Sequence, residues 1–320
     1  MFSDLIRPYR PLQVQYLPWN KAEVIKDVAQ NTSTLVIQKK RQQILKDMCF
    51  KTGHDTVHFD TNKHKLFYMM VDEERKFIWC SVSKVANTNW KIALGMLRNL
   101  SSAYLDKLNG GSLGIHRPSL WGKIGIKPLS SYSSKQQAYF LQNYFKFIFV
   151  RHPFARLFSA YTFLFRSKYD KHPAIRKVLK DHLPLILSKV GKPKTQESTG
   201  NVTFSDFLTY ITKTTGQLAD THWRSYDEGC QPCSVPYDFI GRFETLNPDS
   251  SYVMNKISKS SGPALAFPHA DRGPHSQYTE KNNILVNAFL NITDDIMNKI
   301  RKIYLNDFLL FDYDPHTFYL

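Results

Sequence analysis

The sequence lacks any apolar run approaching the roughly 18 residues needed to span a bilayer. Its opening stretch, MFSDLIRPYRPLQVQYLPWN, also lacks the long apolar core of a signal peptide. Read literally, those two absences describe a soluble chain with no targeting segment. Acidic residues are in short supply, with 27 Asp and Glu against 43 Lys and Arg, for a formal net charge of +16. An excess of that size points to polyanionic company: nucleic acid, an anionic membrane surface, an acidic polysaccharide or a phosphorylated cofactor. No known nucleic-acid-binding module is present, which disfavours the first. Cysteine is scarce too. Cys49, Cys80, Cys230 and Cys233 contain one close pair, where a structural zinc site usually needs two. Four cysteines allow three complete pairings, and disulfides and buried thiols both remain open. There is no internal repeat and no low-complexity tract.

What is present is the composition of a folded protein. The 320 residues are 42% hydrophobic and 14% aromatic, enough to bury a sizeable core in one large α/β domain or two small ones. We expect an irregular lead-in over 1–32 and a single domain over 33–320. Sequons at Asn31, Asn99, Asn201 and Asn291 hint at a secretory route, against the missing signal.

The most informative stretch is Lys76–Arg98, KFIWCSVSKVANTNWKIALGMLR. Phe77 to Val82 reads as a buried strand. The polar turn Ser83-Lys84-Val85-Ala86-Asn87-Thr88-Asn89 follows, and Trp90, Ala93, Leu94 and Leu97 then recur with helical spacing. The N–H groups that open a helix have no intrahelical partners, and the helix dipole favours an anion there. A lysine in that turn adds a full positive charge. The turn contains no glycine, so it is not the GxxxxGK[ST] loop of ordinary ATPases. A second strand-to-helix junction lies in Tyr144–Tyr161, YFKFIFVRHPFARLFSAY. Phe145 to Val150 reads as a strand, Arg151 ends it, Pro153 suits a first helical turn, and Phe154, Leu157, Phe158 and Tyr161 repeat at helical spacing. Arg156 and Ser159 share a helix face. Two cationic junctions would serve a ligand with an anionic group at each end.

Elsewhere, Ser33–Phe50 reads as a helix with Leu35, Ile44, Leu45 and Met48 on its apolar face and Gly53 beyond its end. Lys65–Val71 reads as a strand or the approach to one. Residues 108–136 and 166–201 read as long polar stretches, the first a surface loop. Another basic loop spans 259–283. A capping box at Thr203–Asp206 and an acidic first turn at Asp294 and Asp295 mark two later helices. The alternation of strands and helices predicts an α/β fold with a mostly parallel sheet flanked by helices on both faces.

The motifs together resemble one family. SKVANTNWK is similar to the PKVACTNWK-type 5′-phosphosulfate loop of Golgi carbohydrate sulfotransferases of the chondroitin and dermatan 4-O type, and RHPFARLFSAY resembles that family's RxPFxRLxSAY loop for a 3′-phosphate. DTHW, CQPC ahead of YDFIGRFETL, and the closing YLNDFLLFDY also match, so the resemblance runs from about residue 40 to 313. Ser83 departs from the family's usual proline and Asn87 from its cysteine or small residue. The family's N-terminal signal-anchor helix has no counterpart here, although membrane association and a Golgi location are what the resemblance implies.

It implies a P-loop-like three-layer fold, the donor 3′-phosphoadenosine 5′-phosphosulfate (PAPS), no metal, and an anionic glycan acceptor. Lys84 would serve the bridging and sulfuryl oxygens, and the turn Ser83–Asn89 with the Thr88 hydroxyl the 5′-phosphate. Arg151, Pro153, Phe154, Arg156 and Ser159 would form the 3′-phosphate site, with an Arg156–Glu244 ion pair as the competing role for that arginine. His222 is the first candidate for general base and His116 the second. The competing role for His222 is a structural one beside Trp223. The rival functions are a catalytically weakened glycan-binding member of the fold and a nucleotide-dependent phosphotransferase.

Overall fold

The structure, a computed structural model, describes residues 34–54, 59–61, 66–100, 118–166, 173–193, 202–214, 220–258, 267–268 and 284–317. The lead-in 1–32 lies outside them, as do His116 and most of the 259–283 stretch.

Five strands among the described residues form one sheet: β1 (Met69–Asp72), β2 (Phe77–Cys80), β3 (Ile126–Pro128), β4 (Phe145–Val150) and β5 (Phe239–Arg242). Their order across the sheet is β3-β1-β2-β4-β5. β2, β4 and β5 pair in parallel, whereas β1 is antiparallel to both β2 and β3. Four strands therefore run one way and β1 alone opposes them, which meets the expectation of a mostly parallel sheet flanked by helices. β2 and β4 are buried along nearly their whole length, as apolar runs in parallel strands should be. Gly241 on β5 sits opposite Phe149, and a Cβ there would fall 2.3 Å from the Phe149 ring. The glycine makes room for that ring.

Both helices of the two junctions form where the periodicity places them, at Asn87–Leu97 and Pro153–Phe165. So do the helices at Ser134–Asn143, at Phe204–Lys213 with its Thr203–Asp206 capping box, and at Asp294–Ile303. Three sequence readings are corrected. The described part of 108–136 is not loop: it holds a helix (Pro118–Lys123), β3 and a 3₁₀ turn (Leu129–Ser131), elements too short to leave a periodic signature. The stretch 166–201 contains an 18-residue helix, Pro173–Val190, whose Lys-rich outer face and internal Pro184 masked its apolar one.

The third correction concerns Thr34–Lys51. That helix forms, but Leu35 is exposed and the buried residues include Gln38 and Arg41. They cover the open edge of β5. The Gln38 amide accepts from the Ile240 N–H (2.9 Å) and donates to its carbonyl (3.1 Å), supplying the pair of bonds another strand would make. Arg41 donates to the same carbonyl and to Asp249 at 2.7 Å. Two disulfides, Cys49–Cys233 and Cys80–Cys230, resolve the pairing and split the close CQPC pair between two partners.

Arg41→Met would leave the buried Asp249 carboxylate without its cation, a change that costs about 3–5 kcal/mol. Urea denaturation of the variant should show a lowered midpoint at unchanged m-value.

Candidate functional site

Register brings the two junctions together. β2 and β4 are adjacent and parallel, with Cys80 opposite Ile148, so the turns that follow them both lie at the carboxyl end of the strands. Ligands in open α/β sheets bind at that end. Lys84, Arg151 and Ser159 all line one cavity of about 770 Å³, together with Ser83, Ala86, Asn87, Thr88, Asn89 and His222.

The turn after β2 achieves without glycine what phosphate loops usually do with it. Lys84 and Ala86 both adopt left-handed backbone, at φ 70° and 61°. Left-handed residues interleaved in a turn aim successive N–H groups inward, the arrangement that cradles anions. The helix ladder starts with the Trp90 N–H donating to the Ala86 carbonyl, so the N–H groups of Asn87, Thr88 and Asn89 stand ahead of it. The Asn87 amide donates to Ser81 Oγ (2.8 Å) and the Val82 carbonyl (2.9 Å), bracing the turn against the strand end. Its buried Oδ1 has no partner among the described residues.

Lys84 Nζ lies 3.9 Å from the centre of the Phe163 ring. Burial, and then the charges of Arg151 and Arg156, lower its pKa to about 7. Arg151 rests over Phe243 at 4.2 Å, and its backbone is held from both sides by the Tyr226 hydroxyl.

His222 stacks on Phe163, 5.5 Å between ring centres, so the lysine and the imidazole meet the same aromatic ring. Its Nδ1 lies 2.5 Å from Asp220 Oδ1. Burial raises the Asp220 carboxyl, but the hydrogen bond and charge of His222 outweigh it and hold the group below its ordinary value. An ionised carboxylate can only accept, so Nδ1 carries a proton toward it, and Nε2 is the nitrogen that can exchange one with the cavity. A base oriented by a carboxylate, facing a cavity that also holds a lysine, can take a proton from a hydroxyl.

The remaining predicted residues sit elsewhere. The Val85 side chain is in the core, leaving only its backbone toward the turn. Pro153 and Phe154 are buried and outside the cavity lining, Phe154 packing on Phe289 and Phe308. Arg156 also lies outside that lining and donates to the carbonyls of Ser83, Arg224 and Thr221. Glu244 makes no ion pair with it; it accepts from the His152 N–H and the Tyr313 hydroxyl, both at 2.8 Å. Three residues of the cavity region had no role in the sequence reading, although each leaves a signal in the spacing. Asp220 stands two before His222, the reach of an Asx turn. Lys91 is one helical turn beyond Asn87 and Thr88, and Phe163 one turn beyond Ser159.

With this geometry in place, the comparisons with known proteins are decisive. The sequence profile of the sulfotransferase family matches residues 67–314. The chain belongs to that family. It is 29% identical over 295 residues to carbohydrate sulfotransferase 10 of Xenopus laevis, covering 89% of this chain and 78% of the relative. It is 30% identical over 312 residues to carbohydrate sulfotransferase 12 of Mus musculus, covering 90% and 71%. With carbohydrate sulfotransferase 9 of Homo sapiens the identity is 31% over 288 residues, covering 86% and 60%. No solved structure matches this sulfotransferase.

The left-handed turn of this sulfotransferase is testable. Ala86→Gly should change stability by less than about 1 kcal/mol, since relief of strain and greater freedom of the unfolded chain oppose each other. Ala86→Val, β-branched in left-handed backbone, should destabilise by about 2 kcal/mol. Thermal unfolding of both variants checks the pair.

Proposed function

We propose that this protein moves the sulfuryl group of PAPS to a hydroxyl of a glycan, a glycosaminoglycan of the chondroitin or dermatan kind. The observation that carries the reading is the single cavity shared by Lys84, Arg151, Ser159 and His222, whose imidazole is hydrogen-bonded to Asp220 behind it. Its volume, about 770 Å³, suits a nucleotide with part of a sugar chain. The residues fit the donor: two cationic turns, each opening a helix, match its two anionic ends.

PAPS supplies an activated S–O bond; that bond breaks, the acceptor O–S bond forms, and the acceptor hydroxyl loses its proton. Protonated Lys84 donates toward the bridging oxygen, where charge develops. The N–H groups at the start of the helix and the Thr88 hydroxyl hold the 5′-phosphate, and Arg151 with Ser159 holds the 3′-phosphate. His222 Nε2 receives the acceptor proton, and Asp220 stabilises the imidazolium that results. These fixed donors act in a partly dry cavity, where they need no reorganisation as charge moves.

Two disulfides favour an oxidising compartment. Asn99 and Asn291 are exposed and open to glycosylation. Both features support a place in the Golgi lumen, as does the resemblance. No helix among the described residues is long and apolar enough to cross a membrane.

The test is transfer of label from PAPS to a panel of desulfated chondroitin, dermatan and heparan chains. Labelled chondroitin or dermatan is the expected product. Lys84→Ala should lower kcat by about 10²–10³, the cost of losing a preorganised donor to developing charge. His222→Gln should lower it by about 10²–10⁴. Retention on immobilised 3′,5′-ADP with no transfer to any glycan would overturn the reading.

The Lys84 pKa of about 7 adds a pH dependence. Above that value the empty site holds a neutral lysine, and an anionic nucleotide favours the charged one. Binding must then take up a proton, and affinity falls as pH rises, by up to about tenfold per unit for one proton. Calorimetry with 3′,5′-ADP at pH 8 in buffers of different ionisation enthalpy should show the uptake, and Lys84→Met should reduce it.

A further inference from the structure

The cavity holds more cationic and aromatic surface than the donor uses. Beyond the residues assigned above, its lining includes Lys91, Lys127, Trp121, Tyr68 and Phe67. Sheet order says where they lie. Arg151 follows β4, Lys84 follows β2, and the sheet continues through β1 to β3, which carries Lys127. With strands about 4.8 Å apart, β3 is roughly 10 Å beyond β2, on the side away from β4. Lys84 therefore stands between an Arg151 side and a β1–β3 side. In-line transfer puts the nucleotide and the acceptor on opposite sides of the sulfuryl group. If Arg151 holds the nucleotide, the β1–β3 side faces the acceptor.

That side is built for an acidic sugar. Lys91 Nζ lies 5.5 Å from the centre of the Trp121 ring, and Trp121 is buried in the wall. With only 4% of its surface exposed, Trp121 serves as a fixed apolar backing that holds the Lys91 ammonium at the cavity wall, where it can meet a charged substituent. A neutral purine has no need of that ammonium.

The geometry points to Lys91 and Trp121, with Lys127 at the rim, as a subsite that binds the carboxylate of a hexuronic acid next to the sulfated sugar. This assignment rests on the glycan-transfer reading above and adds that the acceptor is selected by its carboxyl group. Burial lowers the Lys91 pKa to about 8, and a carboxylate against it would favour its charged form.

The experiment compares desulfated chondroitin with the same polymer after reduction of its carboxyl groups to alcohols. The wild-type enzyme should prefer the carboxylated polymer in kcat/KM by about tenfold or more, the strength of one charge-assisted bond. Lys91→Met should bring that ratio near one, mainly through KM, and keep affinity for 3′,5′-ADP within about threefold. Lys91→Arg should retain the preference. Lys127→Ala, at an exposed position, should lower the ratio even if Lys91→Met does not fold. Equal use of both polymers by the wild type would sink the subsite and leave the transfer reading intact. So would a Lys91→Met protein that loses both polymers alike or loses its affinity for 3′,5′-ADP. Transfer to neither polymer would remove both readings together.

Discussion

One guanidinium holds the pieces of the site in register. Arg156 sits in the helix after β4 and is buried. Its Nε donates to the Ser83 carbonyl at 3.1 Å, and its two terminal nitrogens donate to the carbonyls of Arg224 and Thr221 at 2.6 and 3.3 Å. Those acceptors belong to the Lys84 turn and to the segment that carries His222. The arginine itself is one helical turn from Ser159. Three stretches distant in sequence are thus fixed by one planar fork, which lysine, a flexible point charge, would not reproduce. A buried cation is costly unless its donors are occupied. Here the bonds that occupy them also set the geometry, and the Tyr226 ring 4.8 Å away covers the remaining face.

The same arrangement makes the site tense while it holds no anion. Burial first, and then the charges of Arg151 and Arg156, depress Lys84 to about 7. The turn that carries it contains two non-glycine residues in left-handed backbone. Strain of that kind persists where the surroundings over-determine it and clusters at functional sites. Aromatic faces offset part of the electrostatic cost: Phe163 under Lys84 and Phe243 under Arg151. An anionic ligand of the kind proposed for this cavity would offset the rest.

The sequence showed the elements that periodicity can show. Both strand-to-helix junctions were legible because buried parallel strands and amphipathic helices each leave a pattern. Their meeting in one cavity depended on β2 and β4 being neighbours, and nothing in either segment states that pairing. Arg156 illustrates the gap. Its place in a loop resembling a 3′-phosphate site, on a face with Ser159, suggested a phosphate ligand, and an ion pair with Glu244 was the competing role. Backbone carbonyls take its hydrogen bonds instead, and carbonyls are invisible in a sequence. Gln38 and Arg41 failed to register for the same reason: their partner is the bare edge of β5, so their helix buries polar residues where an apolar stripe was expected.

The cysteines complete the argument about register. Cys80 is the last residue of β2, directly ahead of the Lys84 turn, and it bonds Cys230 across 150 residues. Cys233 bonds Cys49 at the end of the helix that closes the sheet edge. The segment from Asp220 to Cys233 is therefore tied by Arg156 near its start and by two covalent bonds near its end. In the chain-entropy description, closing a loop of that length withdraws on the order of 4–5 kcal/mol from the unfolded ensemble, the second bond adding less because the loops overlap. The effect on the site is more specific than the stability. His222 reaches the cavity from a connection with little regular structure, yet the proton transfer proposed for it requires its position against Phe163 to hold to within a hydrogen bond's tolerance. A loop pinned at both ends to the strand and turn that hold the lysine meets that requirement without a rigid element of its own.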